Sequence, residues 1–146
     1  MAAQGADGLW IYVKDEENGQ LWSATRQPTG QIPDQYEVTF HSHMAEFHRR
    51  DHDISVWMES VVAAGDDIEI RRLAIGNLSD RSRSLSFTSY GEVVLAPPLD
   101  DERHPAFSKL FVGCEFIPAI GGQLFTRRPR SPNDAPPVLL HFLVCG

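Results

Sequence analysis

What constrains this chain most is the recurrence of apolar residues at every second position, in short runs separated by turn signals. The stretch from Arg81 to Phe116, RSRSLSFTSYGEVVLAPPLDDERHPAFSKLFVGCEF, shows the pattern most fully. Leu85, Phe87, Ser89, Gly91, Val93 and Leu95 fall on one side at period two, and Ser84, Ser86, Thr88 and Tyr90 fall on the other. Such alternation belongs to an antiparallel strand with one dry face and one wet face. Pro97-Pro98 breaks the run, and Asp100 to Glu102 reads as an acidic turn. His104-Pro105-Ala106-Phe107 then leads into a further apolar strand, Phe107 to Ile117. A dense tetrapeptide in a connection points to a site or a docking corner.

The same grammar runs along the rest of the chain. Leu9 to Val13 is a compact apolar run, and Asn18-Gly19 is a strong turn signal before Leu21-Trp22, so Leu9 to Trp22 is expected to form a hairpin. Pro28 to Pro33 reads as a loop leading into a strand from Tyr36 to His43, with Tyr36, Val38 and Phe40 on one face. Ile54, Val56, Met58 and Val62 share the next alternating face, and Gly65-Asp66-Asp67 turns the chain into Ile68 to Asn77. That strand changes phase between Ile70 and Leu73, which predicts a bulge near Arg71-Arg72. Asn77 to Asp80 and Gly121-Gly122 read as turns, Gln123 to Thr126 as a strand and Leu139 to Val144 as a last short one. Met44 to His52 is the one helical rival, and it is short. About eight strands without an amphipathic helix predict an all-β, antiparallel β-sandwich. The expected division is a sandwich over residues 1–126, a proline-rich connection over 127–137 and a tail over 138–146.

Length and charge narrow the function classes. With 146 residues the chain suits one domain. An apolar share of 42% with 23% charged residues is that of a globular protein, and no run approaches the roughly 18 apolar residues of a membrane helix. The start, MAAQGADG, lacks the basic and apolar regions of a secretion signal, so cytoplasmic residence is expected. A net charge of −7 argues against nucleic acid or anionic lipid as the main partner. Cys114 and Cys145 are too few and too far apart for a disulfide framework or a metal knuckle.

Catalytic and metal constellations are weak. Four of the six histidines lie between His41 and His52. His41 and His43 share a strand face with Glu46 following, as in a metal-dependent cupin, but the gap before the glutamate is too short and the glycine beyond it is missing. His48 and His52 have helical spacing without the glutamate of an HExxH site. Polar residues on an edge strand account for them better, and no metal site is expected. Ser89 lacks a glycine-flanked elbow and reads as a small polar core residue. Asp66-Asp67 and Asp100-Asp101 are turn neighbours, better explained by solvation than by acid–base chemistry. Trp10, Tyr12, Trp22, Tyr36, Trp57 and Tyr90 are rings on which a flat sugar face can stack, although most tryptophans of a small sandwich are core.

Several collinear segments carry a more specific signal. They are Gly19-Gln20-Leu21-Trp22-Ser23-Ala24-Thr25 with Gln27-Pro28, and Ala45-Glu46-Phe47-His48-Arg49-Arg50-Asp51. Glu69-Ile70-Arg71-Arg72-Leu73 with Asn77, Thr88-Ser89-Tyr90-Gly91-Glu92, and His104-Pro105-Ala106-Phe107-Ser108-Lys109-Leu110-Phe111 complete the series. From about Gly8 to Pro132 the chain resembles the N-terminal β-sandwich domain of inverting glycoside phosphorylases, formerly glycosyltransferase family 36. Cyclic β-1,2-glucan synthases are the subgroup it is most similar to, with cellobiose and chitobiose phosphorylases more distant. The resemblance implies a supersandwich of galactose-mutarotase-like fold. In that family it precedes a helical linker and an (α/α)6 barrel carrying the general acid aspartate and the phosphate site, and it supports dimers and packs on the barrel.

No segment here matches the barrel. The resemblance therefore implies a carbohydrate-binding or scaffolding domain of a β-glucan phosphorylase or synthase system, without catalytic residues or a cofactor of its own. The candidates for sugar or barrel contact are Trp22, Arg26, Tyr90 and His104. His104-Pro105 has the alternative role of fixing a corner through proline geometry and a buried hydrogen bond. Expected partners are a β-glucooligosaccharide, a phosphorylase barrel or a second copy. The rival reading is a purely structural or dimerisation domain without sugar affinity, and a cupin-like metal protein is a remote third. Full-length synthases of the family attach to the inner membrane through other domains. Family members have further strands upstream of Gly8 to Asp15, and the tail from Val138 departs from the pattern. An incomplete sandwich, cut from a longer reading frame or shifted within it, is expected, with sheet edges that favour self-association.

Overall fold

The computed structural model describes residues 8–145. Among the described residues strands make up 47% and helices 9%, and the hairpins are antiparallel, so the class is all-β as the alternation predicts. Two compact units form, one from Leu9–Tyr90 and one from the residues after Tyr90 together with Gly8.

The first unit is a sandwich of two sheets. Strands β1 (Leu9–Asp15), β2 (Leu21–Ser23) and β7 (Leu85–Gly91) form one sheet in the order β2-β1-β7. Strands β3 (Gln35–Phe40), β4 (Met44–Asp51), β5 (Ile54–Val62) and β6 (Glu69–Asn77) form the other in sequence order. The expected first hairpin is present, with Val13 opposite Trp22. Its turn needs Gly19, whose φ of 73° lies in the left-handed region, and Asn18 Oδ1 accepts the Gln20 N–H at 2.9 Å.

Val13, Trp22 and Ala24 close on Ile54, Val56 and Met58, and Ile11, Phe47, Leu73 and Leu85 pack around them. Val13, Ile54 and Val56, fully buried, each contribute about 1.5–3 kcal/mol through the water they shed. Cover is uneven. Along β5, Ile54 and Val56 are fully buried while Val62 is exposed, and on β3 Phe40 is 77% exposed. The inner face of the four-stranded sheet is thus closed at the Ile54 end and open at the Phe40 end. Strand β7 runs from one end to the other, with Ser84 O accepting the Glu16 N–H at 3.0 Å and Tyr90 stacked on Trp10. Leu85 therefore meets the core, whereas Phe87 and Ser89 are exposed. The dry face predicted from Leu85 to Leu95, with Ser89 on it, is broken in its middle: the strand stops at Gly91, and Leu95 is buried beyond it.

Two further expectations are corrected in the four-stranded sheet. The β5–β6 register runs unbroken from Ile54 opposite Asn77 to Val62 opposite Glu69, so there is no bulge at Arg71-Arg72. Ile68 precedes the strand, and Ile70, opposite Val61, is exposed on the outer face, which accommodates the phase change without an extra residue. The segment from Met44, the helical rival, is an interior strand paired to β3 and β5. His48 therefore does not lie on an edge, and His41 and His43 sit in the turn after β3.

Ion pairs hold the closed end. Arg49 is fully buried and forks onto Asp51, with Nε to Oδ2 at 2.6 Å and Nη2 to Oδ1 at 2.9 Å. Bidentate geometry of this kind makes a strong charge-assisted pair. Arg83 pairs with buried Asp15 and donates to His52 O at 3.0 Å. The two-residue turn His52-Asp53 has φ of 50° and 64°, strained values for side-chain-bearing residues. It is pinned from several sides: His52 N–H donates to Asp34 Oδ2 at 3.0 Å, Arg50 Nη2 pairs with Asp53 Oδ1 at 2.7 Å and Leu78 N–H donates to Asp53 O at 2.8 Å.

The second unit holds helices α1 (Pro98–Arg103) and α2 (Pro105–Lys109), then β8 (Val112–Ile117), β9 (Gly122–Arg127) and β10 (Leu139–Phe142) in the order β10-β9-β8. The acidic segment Asp100 to Glu102 is thus helical rather than a turn. Prolines at the first helical position and carboxylates in the first turn suit a helix start, and they outweigh the breaking signal of Pro97-Pro98. Phe107 belongs to α2, and the strand predicted from it begins at Val112. Residues 128–138, the proline-rich segment, form no helix or strand. Among the described residues of this unit only Leu95, Ser108, Gly122 and Arg127 are buried.

Candidate functional site

The open end of the first unit forms a cleft of about 370 Å³. Ala45, Phe47 and Met58 make its apolar floor, and Trp10 and Tyr36 also line it. Thr25, Arg26, Gln27, Ser60 and Arg71 add polar groups, and Leu9 completes the lining. A concave apolar floor with a few placed polar groups is the usual form of a small-ligand site.

Each wall has a local cause. Residues 24–34 make no strand, and their backbone is bonded by neighbours instead. Ser23 Oγ donates to Thr25 O at 2.6 Å, Thr25 Oγ1 donates to Gln27 O at 2.7 Å, and Gly30 N–H donates to Arg26 O at 3.1 Å. Arg49 reaches the same loop from beneath, donating through Nη1 to Thr25 O at 2.7 Å and through Nη2 to Gln31 O at 3.3 Å. Tyr36 Oη accepts the Arg26 N–H at 3.3 Å. The loop that carries Arg26 and Gln27 is therefore tied to the buried Arg49–Asp51 pair. Opposite it, Arg71 Nη1 donates to Leu9 O, and Arg71 Nε pairs with Glu69 Oε1 at 2.6 Å. Burial alone raises the Glu69 carboxyl, but hydrogen bonds from Arg71 and Ser60 outweigh it and hold the group below its usual range.

The four candidates from the sequence are dispersed. Arg26 is exposed on the cleft wall. Tyr90 is half-exposed and stacks on Trp10, 6.0 Å between ring centres at 28°. Trp22 is fully buried against Val13, its ring edge-on to His52 at 6.0 Å, and it is not available as a surface platform. Its position opposite Val13 puts it on the inward phase of the hairpin. His104 belongs to the other unit, exposed between α1 and α2. Its corner is fixed by backbone bonds, His104 N–H to Asp100 O at 3.1 Å and Ser108 N–H to His104 O at 2.9 Å, instead of by a buried bond from the imidazole.

Sequence reasoning missed Gln27, Ser60 and Arg71, which join Arg26 on the cleft. The usable signal was Ser60 and Arg71 continuing the inward phases of β5 and β6 as polar residues, a mark of a face that is no longer covered. The histidine cluster does not gather: His41 and His43 ring centres are 6.1 Å apart and His41 pairs with Glu46 at 3.4 Å. Among the described residues no group of three His, Cys, Asp or Glu side chains is placed to hold a metal ion. No described helix is long and apolar enough to cross a membrane.

In the second unit a concavity of about 550 Å³ is lined by Phe107, Phe111, Arg128, Pro129 and Arg130. Phe107 meets Phe111 edge-on at 5.1 Å, and the buried Arg127 guanidinium lies 5.6 Å from the Phe111 ring centre while donating to Ser108 O at 2.8 Å.

Known proteins are similar to this sequence. The family described as the glycosyl hydrolase 94 supersandwich domain matches residues 2–146. The cyclic β-(1,2)-glucan synthase NdvB of Rhizobium meliloti is 37% identical over 129 residues, covering 87% of this chain and 4% of that protein. The N,N'-diacetylchitobiose phosphorylases of Vibrio furnissii and Vibrio proteolyticus are 28% and 26% identical over 115 residues, 77% of this chain and 14% of theirs. The chain thus spans a small fraction of these relatives. With the match running along almost its whole length and with facing antiparallel sheets beneath it, the chain belongs to the glycosyl hydrolase 94 family as a supersandwich domain.

Proposed function

We propose that this chain is a non-catalytic, carbohydrate-binding sandwich of a β-glucan phosphorylase or synthase system. The observation that carries the reading is the cleft at the open end of the Leu9–Tyr90 unit, where Trp10 and Tyr36 line an apolar floor beside a polar rim. A pyranose offers C–H faces to rings such as Trp10 and Tyr36. Its hydroxyls suit the donors and acceptors of Arg26, Gln27, Thr25 and Ser60. The names of the relatives, a glucan synthase and two chitobiose phosphorylases, fit a saccharide ligand. Calorimetric titration with β-1,2- and β-1,4-linked gluco-oligosaccharides tests it. Millimolar binding that weakens about five- to tenfold in Trp10→Ala and Arg26→Ala supports the cleft. Silence at millimolar sugar removes it.

A second reading, docking to a further domain or a second copy without sugar affinity, is favoured by the exposed apolar residues Phe107, Leu110, Phe116 and Phe142 of the other unit. Light scattering across a concentration series separates a monomer from a dimer. Co-purification with a separately expressed barrel domain tests docking.

A further inference from the structure

The outer face of the four-stranded sheet carries an aromatic side chain that neither the core nor the cleft uses. Trp57 projects from β5 away from Val56 and Met58, and it is 42% exposed. On one side the His48 ring lies 5.1 Å away at 33°, held by its Nε2 contact to Ser55 Oγ at 3.0 Å. On the other side its cross-strand partner is Ala74, a methyl group, with Gly76 two residues along on the same face. The indole thus has a wall on one flank and a shallow step on the other.

Around it the face is polar. Glu59, next on this side of β5, is held by Arg72, with Arg72 Nε to Glu59 Oε2 at 2.8 Å. Glu46 stands opposite Glu59 on β4 and pairs with His41. A protein interface of useful size needs a contiguous apolar patch, and here the row of Glu46, Glu59 and Arg72 separates the indole from Val61 and exposed Ile70 on the same face. A flat ligand with an apolar face and a hydroxyl rim fits it better. Strands held in unbroken register on both sides of β5 keep the platform rigid.

We propose that this outer face is a saccharide platform separate from the cleft, on which one face of a β-linked glucopyranose stacks on Trp57 while Glu59 and Arg72 bond its hydroxyls. Rings of this kind lose little entropy on binding and pair an apolar body with a polar tip, which suits weak, repeated contacts along a glucan chain. The inference shares its ligand class with the cleft reading, but it rests on different residues and on the opposite face of the sheet.

Its test needs no variant at first. The protein has three tryptophans, Trp10 at the cleft, Trp22 in the core and Trp57 on the platform, and each gives its own indole N–H signal. Titration of isotope-labelled protein with cellotetraose, and separately with a linear β-1,2-linked glucotetraose, is expected to move the Trp57 signal saturably at millimolar sugar and to leave Trp22 in place. Trp57→Ala is then expected to weaken that binding phase at least fivefold, Trp57→Phe to retain most of it and Arg72→Ala to weaken it two- to threefold. If Trp57 stays still while Trp10 moves, the platform is overturned and the cleft stands. If Trp57 moves alone, the platform stands and the cleft fails. A Trp57 signal that responds only to protein concentration, with no response to sugar, overturns the platform in favour of contact between copies.

Discussion

The two units use the same strand alternation and obtain different things from it. In Leu9–Tyr90 a second sheet lies over the inner face, so Ile54, Val56 and Met58 disappear from solvent together with Val13 and Trp22. In the other unit a three-stranded sheet carries equally apolar residues, yet Phe116 is 60% exposed and Phe142 52%. Period-two patterning specifies that a face exists. It does not supply what covers that face, and three strands without a packed layer are marginal. Even the first unit shows the distinction, because its cleft lies where cover is incomplete. Stability is thus expected to concentrate at one end of one unit, with binding surface at the other.

The strongest way to break this comparison is to attack the buried ion pair that joins core to cleft. Arg49→Met leaves the Asp51 carboxylate buried without its cation, and urea unfolding is expected to show a loss of about 3–5 kcal/mol. Replacing both partners by apolar residues should recover much of it, yet leave the Thr25 and Gln31 carbonyls without Arg49 and weaken any cleft ligand. Next comes Ile54→Ala, expected to cost about 2–4 kcal/mol because the site is fully buried on a sheet that cannot collapse. In the other unit, Gly122→Ala is expected to cost about 1–3 kcal/mol. A Cβ there would stand 2.9 Å from Phe142 Cβ and 3.1 Å from His141 O, prising β10 from β9.

Acid sharpens the comparison without a change in packing. The hydrogen bond from Arg83 holds the Asp15 carboxyl below its usual value against the opposing effect of burial, and Lys14 with Ser86 does the same for Glu16. A carboxylate whose folded pKa is depressed stabilises the fold above its unfolded pKa, near 3.8 for Asp15, and loses that contribution as pH falls through the folded value. Thermal melts should therefore hold steady at mildly acidic pH and decline below the ordinary carboxylate range. Asp15→Asn should melt lower at neutral pH and lose less on acidification. The smallest effect is expected from Phe116→Ser, within about 0.5 kcal/mol of the parent by urea unfolding, because an exposed ring has little burial to lose. A loss like that of Ile54→Ala would mean that Phe116 is packed in solution.

Much of the first unit was legible because local signals agreed. Asn18-Gly19 announced the first hairpin, and Ile54, Val56 and Met58 announced a core strand. Legibility failed where polar residues were buried or apolar ones exposed. Arg49 and Asp51 point inward on β4 and disguised an interior strand as a short helix, and Ile70 points outward and imitated a bulge. The acidic stretch after Pro97-Pro98 was misread because the same prolines that break a strand can start a helix. At the site, the candidate Arg26 stands on the cleft wall, while Tyr90 only stacks on Trp10. Trp22 was sent to the core by its register opposite Val13, which the bare sequence of a hairpin leaves open by one residue. Arg71 and Ser60 came to the cleft through pairing across β5 and β6, a contact with no short-range signature.

Amide hydrogen exchange of the whole chain, followed by mass spectrometry with and without a β-1,2-linked gluco-oligosaccharide, tests division and function together. Peptides of β4 and β5 should exchange slowest and those of β8 to β10 much faster. The sugar should add protection around Leu9 to Trp10, Thr25 to Gln27 and Ser60 to Arg71, and none across Val112 to Phe142. Equal protection of the two units, or sugar-induced protection confined to the second, would contradict the account.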